Sequence, residues 1–258
     1  MKKLVTPLET VPARTFYIAL GVETLLALAI WFKFGTALIP SPFKVLAAIA
    51  ELLRSSEFYQ ALVSSLFLTV KGMIISMVIA LFVSYAYFMP LFRPLGHFIV
   101  KCRYLTLTGL IFLFTLLTSN GSELKLSLLV FGIVPFFVTS LISQLEAINE
   151  EEFDLCKTMR MSNWEALNEV IVIGRMEQVV ETLRQNFAIA WLMITMIEGL
   201  SMSEGGLGVL LIKANKYVNL PRVFALMVII LLLGISFDFL LGMTRSWLFP
   251  HTRLQVRK

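Results

Sequence analysis

Charge is scarce in this chain. Asp, Glu, Lys and Arg make up 15% of its 258 residues, against about 25% in a soluble globular domain. A soluble enzyme is excluded on that ground, and so is a disordered chain, which would be charge-rich and apolar-poor. Cysteine is nearly absent. Cys102 and Cys156 are the only two, which rules out a disulfide-knotted secreted fold, and neither belongs to a CxxC ligand pattern. Histidine is equally rare, and His97 and His251 lie far apart in sequence, so no metal site is expected. There is no GxxxxGK[ST] phosphate loop and no visible nucleophile–base pair, so the chain is not expected to be an enzyme. No basic run lies outside the flanks of the apolar segments, and no nucleic-acid partner is expected.

What the chain has is apolar length. Hydrophobic residues are 58% of it and the mean hydropathy is +0.83. Long apolar runs rather than short alternating ones point to an all-α integral membrane protein and not to a barrel. Gly72 to Phe92, Tyr104 to Ser122 and Leu126 to Leu145 contain no Asp, Glu, Lys or Arg, and each is long enough to cross a bilayer. Thr15 to Phe32 carries one acid, Glu23, and Val223 to Thr244 carries one, Asp238. Gln185 to Ile197 reaches spanning length only if Glu198 and the small residues after it are included. The expectation is six transmembrane helices, at about 15–35, 64–92, 98–120, 125–145, 183–203 and 223–246. They form a single domain, 15–250, between an N-terminal segment, 1–14, and a tail, 251–258. The segment MKKLVTPLETVPAR does not read as a signal peptide, because the apolar run after it is broken by Glu23 and lacks a small-residue cleavage site.

Basic residues orient the spans. Lys2, Lys3, Arg14, Arg93, Lys101, Arg103, Lys157, Arg160, Arg175, Arg184, Arg245, Arg253, Arg257 and Lys258 all fall on one side of this topology. The positive-inside rule makes that side cytoplasmic and puts both termini there. Both cysteines then lie in cytoplasmic loops. On the other side, Pro40 to Gln60 reads as an amphipathic helix on the outer surface, started by Ser41-Pro42 and apolar at Val45, Ile49, Leu52 and Leu53. Ser203 to Pro221 opens with the glycines Gly205, Gly206 and Gly208, which suit a tight turn. The cytoplasmic stretch Glu146 to Arg184 carries 9 of the 17 acids. It reads as two short helices with a sharp turn between them. Asn149 caps the first, with Glu150, Glu151 and Glu152 at its positive end. Ser162 and Glu165 form a capping box for the second.

From Asp154 to Gly174 the sequence DLCKTMRMSNWEALNEVIVIG resembles the cytoplasmic coupling loop of ATP-binding-cassette (ABC) importer membrane subunits. Three further features resemble the permeases for nitrate, taurine and alkanesulfonates. They are Glu198 followed by Gly206-Leu207-Gly208, the external PSPFKVLAAIAELL segment, and Ser65 with Gly72 entering the second span. The resemblance covers about residues 35 to 250. It implies a multi-pass permease of the bacterial inner membrane, paired with a second permease copy, identical or divergent. Two ABC ATPase subunits would bind ATP and Mg, with no cofactor on this chain, and an extracytoplasmic binding protein would deliver solute. The coupling segment, about 150–175, would dock on the ATPases through Asp154, Cys156, Lys157, Thr158, Met159, Arg160, Met161, Ser162, Trp164 and Leu167. Three departures stand out. Arg160 occupies the position of the family glycine, where a left-handed turn would strain it. Val172-Ile173 replaces a Leu-Pro pair. The prolines that open the third span are absent, which predicts a more regular helix there.

Several alternatives stay open at this level. The coupling segment is either a partner surface or an ordinary solvated loop, with Trp164 also suited to a membrane interface. Glu198 is either a pathway or gate residue, or a helix-end carboxylate bonded to the glycine loop. Gly206 and Gly208 either approach solute or make a turn. Glu23 and Asp238 either line the pathway or pair with Lys71 or Lys33. A carrier driven by an ion gradient, using Glu23, Glu198 and Asp238, and a non-transporting scaffold of the same fold are the competing functions.

Overall fold

The computed structural model describes residues 13–33, 39–202 and 204–250, and all regular structure among them is helical. The helices are α1 (Ala13–Lys33), α2 (Pro42–Leu52), α3 (Ser56–Ala86), α4 (Arg93–Lys101), α5 (Leu107–Leu117), α6 (Gly121–Glu146), α7 (Glu150–Thr158), α8 (Asn163–Ala166), α9 (Met176–Leu200), α10 (Leu207–Lys216) and α11 (Leu220–Leu248). A 3₁₀ turn, Cys102–Tyr104, follows α4, and a π-helical stretch, Leu167–Ile173, follows α8. Both chain ends, 1–12 and 251–258, lie outside the described residues, and so do 34–38 and Ser203. The expected cytoplasmic termini and the tail therefore fall outside them too.

Four helices, α1, α3, α6 and α11, are long and apolar enough to cross a membrane, and a fifth span is present if α4 and α5 are counted as one broken crossing. The protein is thus a multi-pass membrane protein by the length and composition of its helices. α9 has 25 residues and so rises about 38 Å, but it carries Glu177, Glu181, Arg184 and Glu198 and is less apolar.

The centre of the fold is α3 against α6, with α9 packed on both. α3 turns a stripe of small residues inward. Ser65, Thr69, Ser76 and Ala80 are all fully buried, and Gly72 lies in the same row. Between membrane helices there is no hydrophobic drive from water, so close backbone approach and dispersion hold the pair together, and small residues permit that approach. At Gly72 a Cβ atom would stand 2.5 Å from Leu129 Cδ2. On α6, Leu128, Leu129, Ile133, Phe137 and Val138 fill the facing layer and are essentially inaccessible.

The third span is not the regular helix that its missing prolines predict. The α4–3₁₀ segment and α5 meet at 111°. Leu105 and Thr106 are extended there, with ψ of 132° and 128°. Beyond the bend, the first residue of α5, Leu107, packs against Gly132 of α6, where a Cβ would stand 3.3 Å from its side chain.

The 40–60 and 204–221 segments each contain a helix. α2 begins as expected, with Ser41 at the N-cap and Pro42 in the first turn. Val45 and Leu52 are buried, while Leu53 is exposed. Its inner face packs on the start of α11 rather than lying free. The glycine segment leads into α10, with Leu207, Val209, Leu210 and Ala214 buried.

Replacing Gly72 with Val is expected to cost about 1–3 kcal/mol by overpacking. A second change, Leu129→Ala, should recover part of it. Thermal unfolding of the single and double variants in detergent checks this, and additive losses would separate the two residues.

Candidate functional site

Two constellations hold the residues singled out by sequence, one at each end of the bundle. The first brings Glu198, Gly206 and Gly208 together. Glu198, near the end of α9, is 1% exposed. Its Oε1 accepts from Ser65 Oγ on α3 at 2.7 Å, and its Oε2 accepts from the backbone N–H of Gly208 in the first turn of α10 at 2.9 Å. Ser65 Oγ in turn accepts from the N–H of Leu207 at 2.9 Å. Free N–H groups at a helix start need acceptors, and a carboxylate there also meets the positive end of the helix. The glycines follow from the same geometry. Gly206 has φ of 121°, and a Cβ on it would fall 2.3 Å from Glu198 Cδ. On Gly208 it would fall 2.1 Å from the carbonyl oxygen of Thr195. Lys125 of α6, also buried, donates to the carbonyl of Gly205 at 2.9 Å. Of the two readings of Glu198, this arrangement is the helix-end carboxylate bonded to the glycine loop.

Glu23 and Asp238 are elsewhere. Glu23 is exposed on α1. Asp238 pairs with neither Lys71 nor Lys33. Its Oδ1 meets Arg184 Nη1 at 2.6 Å. Arg184 also binds Glu181 at 2.7 Å, and Arg245 of α11 binds Glu181 at 2.6 Å and Glu177 at 2.7 Å. The charges that make α9 less apolar are thus matched across α9 and α11. Sequence reading missed this clasp because its members lie more than fifty positions apart.

The second constellation is the 150–175 segment. α7 starts after Asn149, whose side chain makes no capping bond, and bears Glu150, Glu151 and Glu152 in its first turn. Asp154 and Lys157 pair at 2.8 Å on its exposed face. α7 ends in a Schellman turn. The N–H of Arg160 donates to the carbonyl of Lys157 at 2.9 Å and that of Met161 to Cys156 at 3.1 Å, and Arg160 has φ of 58°. Glycine is the usual residue at this position of the motif. Ser162 then caps α8 through the full capping box. Its side chain accepts from the N–H of Glu165 at 3.3 Å, and its own N–H donates to the Glu165 carboxylate at 2.7 Å. That bond holds the Glu165 carboxyl below the usual glutamate range.

The α-helix lasts one turn before π winding takes over at Leu167, marked by the Gly174 N–H to Glu169 carbonyl bond at 2.9 Å. π-helical stretches are uncommon and concentrate at functional sites. Arg175 returns the chain to α7 by binding Glu152 at 2.5 Å.

The apolar residues of this segment do not share one fate. Met159 and Trp164 are 62% and 67% exposed, Met161 and Leu167 are partly buried, and Cys156 is buried within α7 rather than in a loop. Cys156 is therefore part of the packing beneath the turn and not of an outer surface. Lys157, Thr158, Arg160 and Ser162 are exposed. Leu155, exposed at 62%, joins Met159 at i+4 spacing, and that pairing was legible in the sequence but passed over.

Among the described residues, no three His, Cys, Asp or Glu side chains come close enough to hold a metal ion. No family model matches the chain, and neither does any curated protein.

Three outcomes follow from these geometries. Glu198→Ala should cost about 3 kcal/mol or more, because it leaves the Ser65 hydroxyl and the Gly208 N–H without their acceptor in a buried setting, and detergent-solubilised thermal melts measure it. Arg160→Gly should stabilise the turn by about 1 kcal/mol, since the left-handed region costs L-residues that much, visible as slower amide exchange in α7. The Glu165 contribution is complete above the unfolded glutamate value of about 4.3 and is lost as pH falls through the lowered folded value. Amide exchange in α8 should therefore quicken in acid, and Glu165→Gln should remove that pH dependence.

Proposed function

We propose that the chain is the membrane subunit of an ABC importer, forming half of the translocation pathway for a small solute of the nitrate, taurine or sulfonate kind. The observation that carries this reading is the left-handed turn at Arg160. The backbone there makes the turn for which the resembling family uses glycine, even though the residue is arginine. The turn joins two short helices that expose Leu155, Met159 and Trp164, and an apolar set in a polar segment suits a protein partner. That partner would be a separate ATPase that binds ATP and Mg, one on each of two paired permeases.

On this reading there are six spans: α1, α3, the broken α4–α5 pair, α6, α9 and α11. α9 is long enough to cross, and its charges are matched by α11 at one end and by Ser65 and α10 at the other. The positive-inside rule places the 150–175 segment and both termini in the cytoplasm of a bacterial inner membrane. α2 and α10 face the external binding protein. A short, braced helix pair can pass rigid-body motion between an ATPase and the membrane helices.

The ion-gradient alternative is disfavoured by the commitment of Glu198 and Asp238 to structural contacts. A non-transporting scaffold would share the same docking and differ only in transport.

Gentle purification of the tagged protein from its native membrane should bring along a P-loop ATPase in equal amount. Trp164→Ala and Met159→Asp should each weaken that association by tenfold or more, on the order of a hot-spot loss, while the protein stays in the membrane. Unchanged ATPase recovery with both variants would remove the docking assignment.

A further inference from the structure

The angle between α4 and α5 borders an open cavity of about 510 Å³ against α3 and α6. Its wall is almost wholly apolar and includes Ile79, Phe98, Phe114, Val130 and Val134, with Cys102 at the bend itself. That volume lies within the range of small-ligand pockets. Such a space between membrane helices favours an apolar occupant.

The rim has the opposite character. Lys101 and Arg103 flank Cys102 and are both exposed. Lys101 lies one turn from Phe98 and Arg103 one turn from Ile99, and both of those residues line the cavity. Arg103 is held over the Tyr104 ring at 5.0 Å and donates to its hydroxyl at 2.9 Å, an Arg–Tyr pair suited to a membrane interface. No Asp or Glu occurs between Glu57 and Glu123. Glu146, at the end of α6, accepts from the Tyr87 hydroxyl at 2.7 Å, and that hydroxyl also meets His97 of α4. The rim charge is therefore not neutralised along its own stretch of chain. An occupant with an apolar arm and an anionic head satisfies both halves, and basic pockets between membrane helices are known to hold anionic lipid headgroups.

We propose that the cavity in the α4–α5 angle is a binding site for an anionic phospholipid, with one acyl chain inside it and the phosphate held by Lys101 and Arg103. The site requires only that α3–α6 lie in a bilayer, and it stands whether or not an ATPase docks at the other constellation.

The test uses the full-length protein in vesicles of equal parts phosphatidylcholine and phosphatidylglycerol. After exchange into detergent, mass spectrometry should find phosphatidylglycerol retained in preference to phosphatidylcholine. Lys101→Gln with Arg103→Gln should reduce that preference by roughly tenfold. The pair Arg54→Gln with Lys216→Gln, at the opposite end, should leave it unchanged. In a Cys156→Ala background, labelling of Cys102 by N-ethylmaleimide should be several-fold slower in these vesicles than in phosphatidylcholine alone. That readout stands even if the Lys101/Arg103 double variant fails to fold. Equal retention of the two lipids, a preference that survives loss of Lys101 and Arg103, or protection of Cys102 that tracks protein density instead of phosphatidylglycerol would overturn the proposal. The last result would mean that a second copy fills the space.

Discussion

A carboxylate enclosed by apolar helices must be given donors, because the cost of an unpaired buried charge exceeds what packing can return. Glu198 is such a carboxylate, and its donors come from α3 and α10. That single requirement fixes much of this end of the bundle. It sets the rotation of α9 so that the acid faces Ser65, brings the start of α10 within hydrogen-bond reach, and demands glycine at 206 and 208. Lys125 completes the cluster from α6 by holding the loop carbonyl of Gly205. Four elements thus meet at one buried polar knot, above an α3–α6 seam held by small residues.

The opposite end works by matching charges instead of burying one. Glu177, Glu181 and Arg184 on α9 and Asp238 and Arg245 on α11 form a continuous set of ion pairs. Pairs in this setting are partly shielded from water, so they hold register between two long helices even where each contributes little by itself. α9 is consequently anchored at both ends, and the 150–175 segment that leads into it is braced by the Arg175–Glu152 bond. A displacement of that segment has a stiff path into the bundle.

Several local signals in the sequence were read correctly, although Asn149, expected to cap α7, makes no side-chain capping bond. Ser41-Pro42 starts α2, Ser162 and Glu165 make the capping box, and Arg160 takes the strained conformation expected of the residue in the glycine's place. The bend at Leu105–Thr106 was not legible, because no proline marks it and α5 meets α6 only in the folded bundle. α10 was not named from sequence, since the glycines before it signal only a turn and its apolar face matters only once α9 is beside it. Arg184 was not among the cations weighed for Asp238, because that pairing is set by the rotation of two distant helices. For the candidate site, the residues were named from sequence, but their division into buried Cys156 and exposed Met159 and Trp164 needed the fold.

The broken α4–α5 pair bears on how the chain enters its membrane. Eleven residues of α5 rise about 16 Å, roughly half of a hydrocarbon core. Such a segment cannot rest across a bilayer by itself, whatever its hydropathy. It can be stabilised only when α6, three residues further on, supplies the other wall. Residues 107–146 thus form one short hairpin, in which α6 covers the face that α5 is too short to bury by itself.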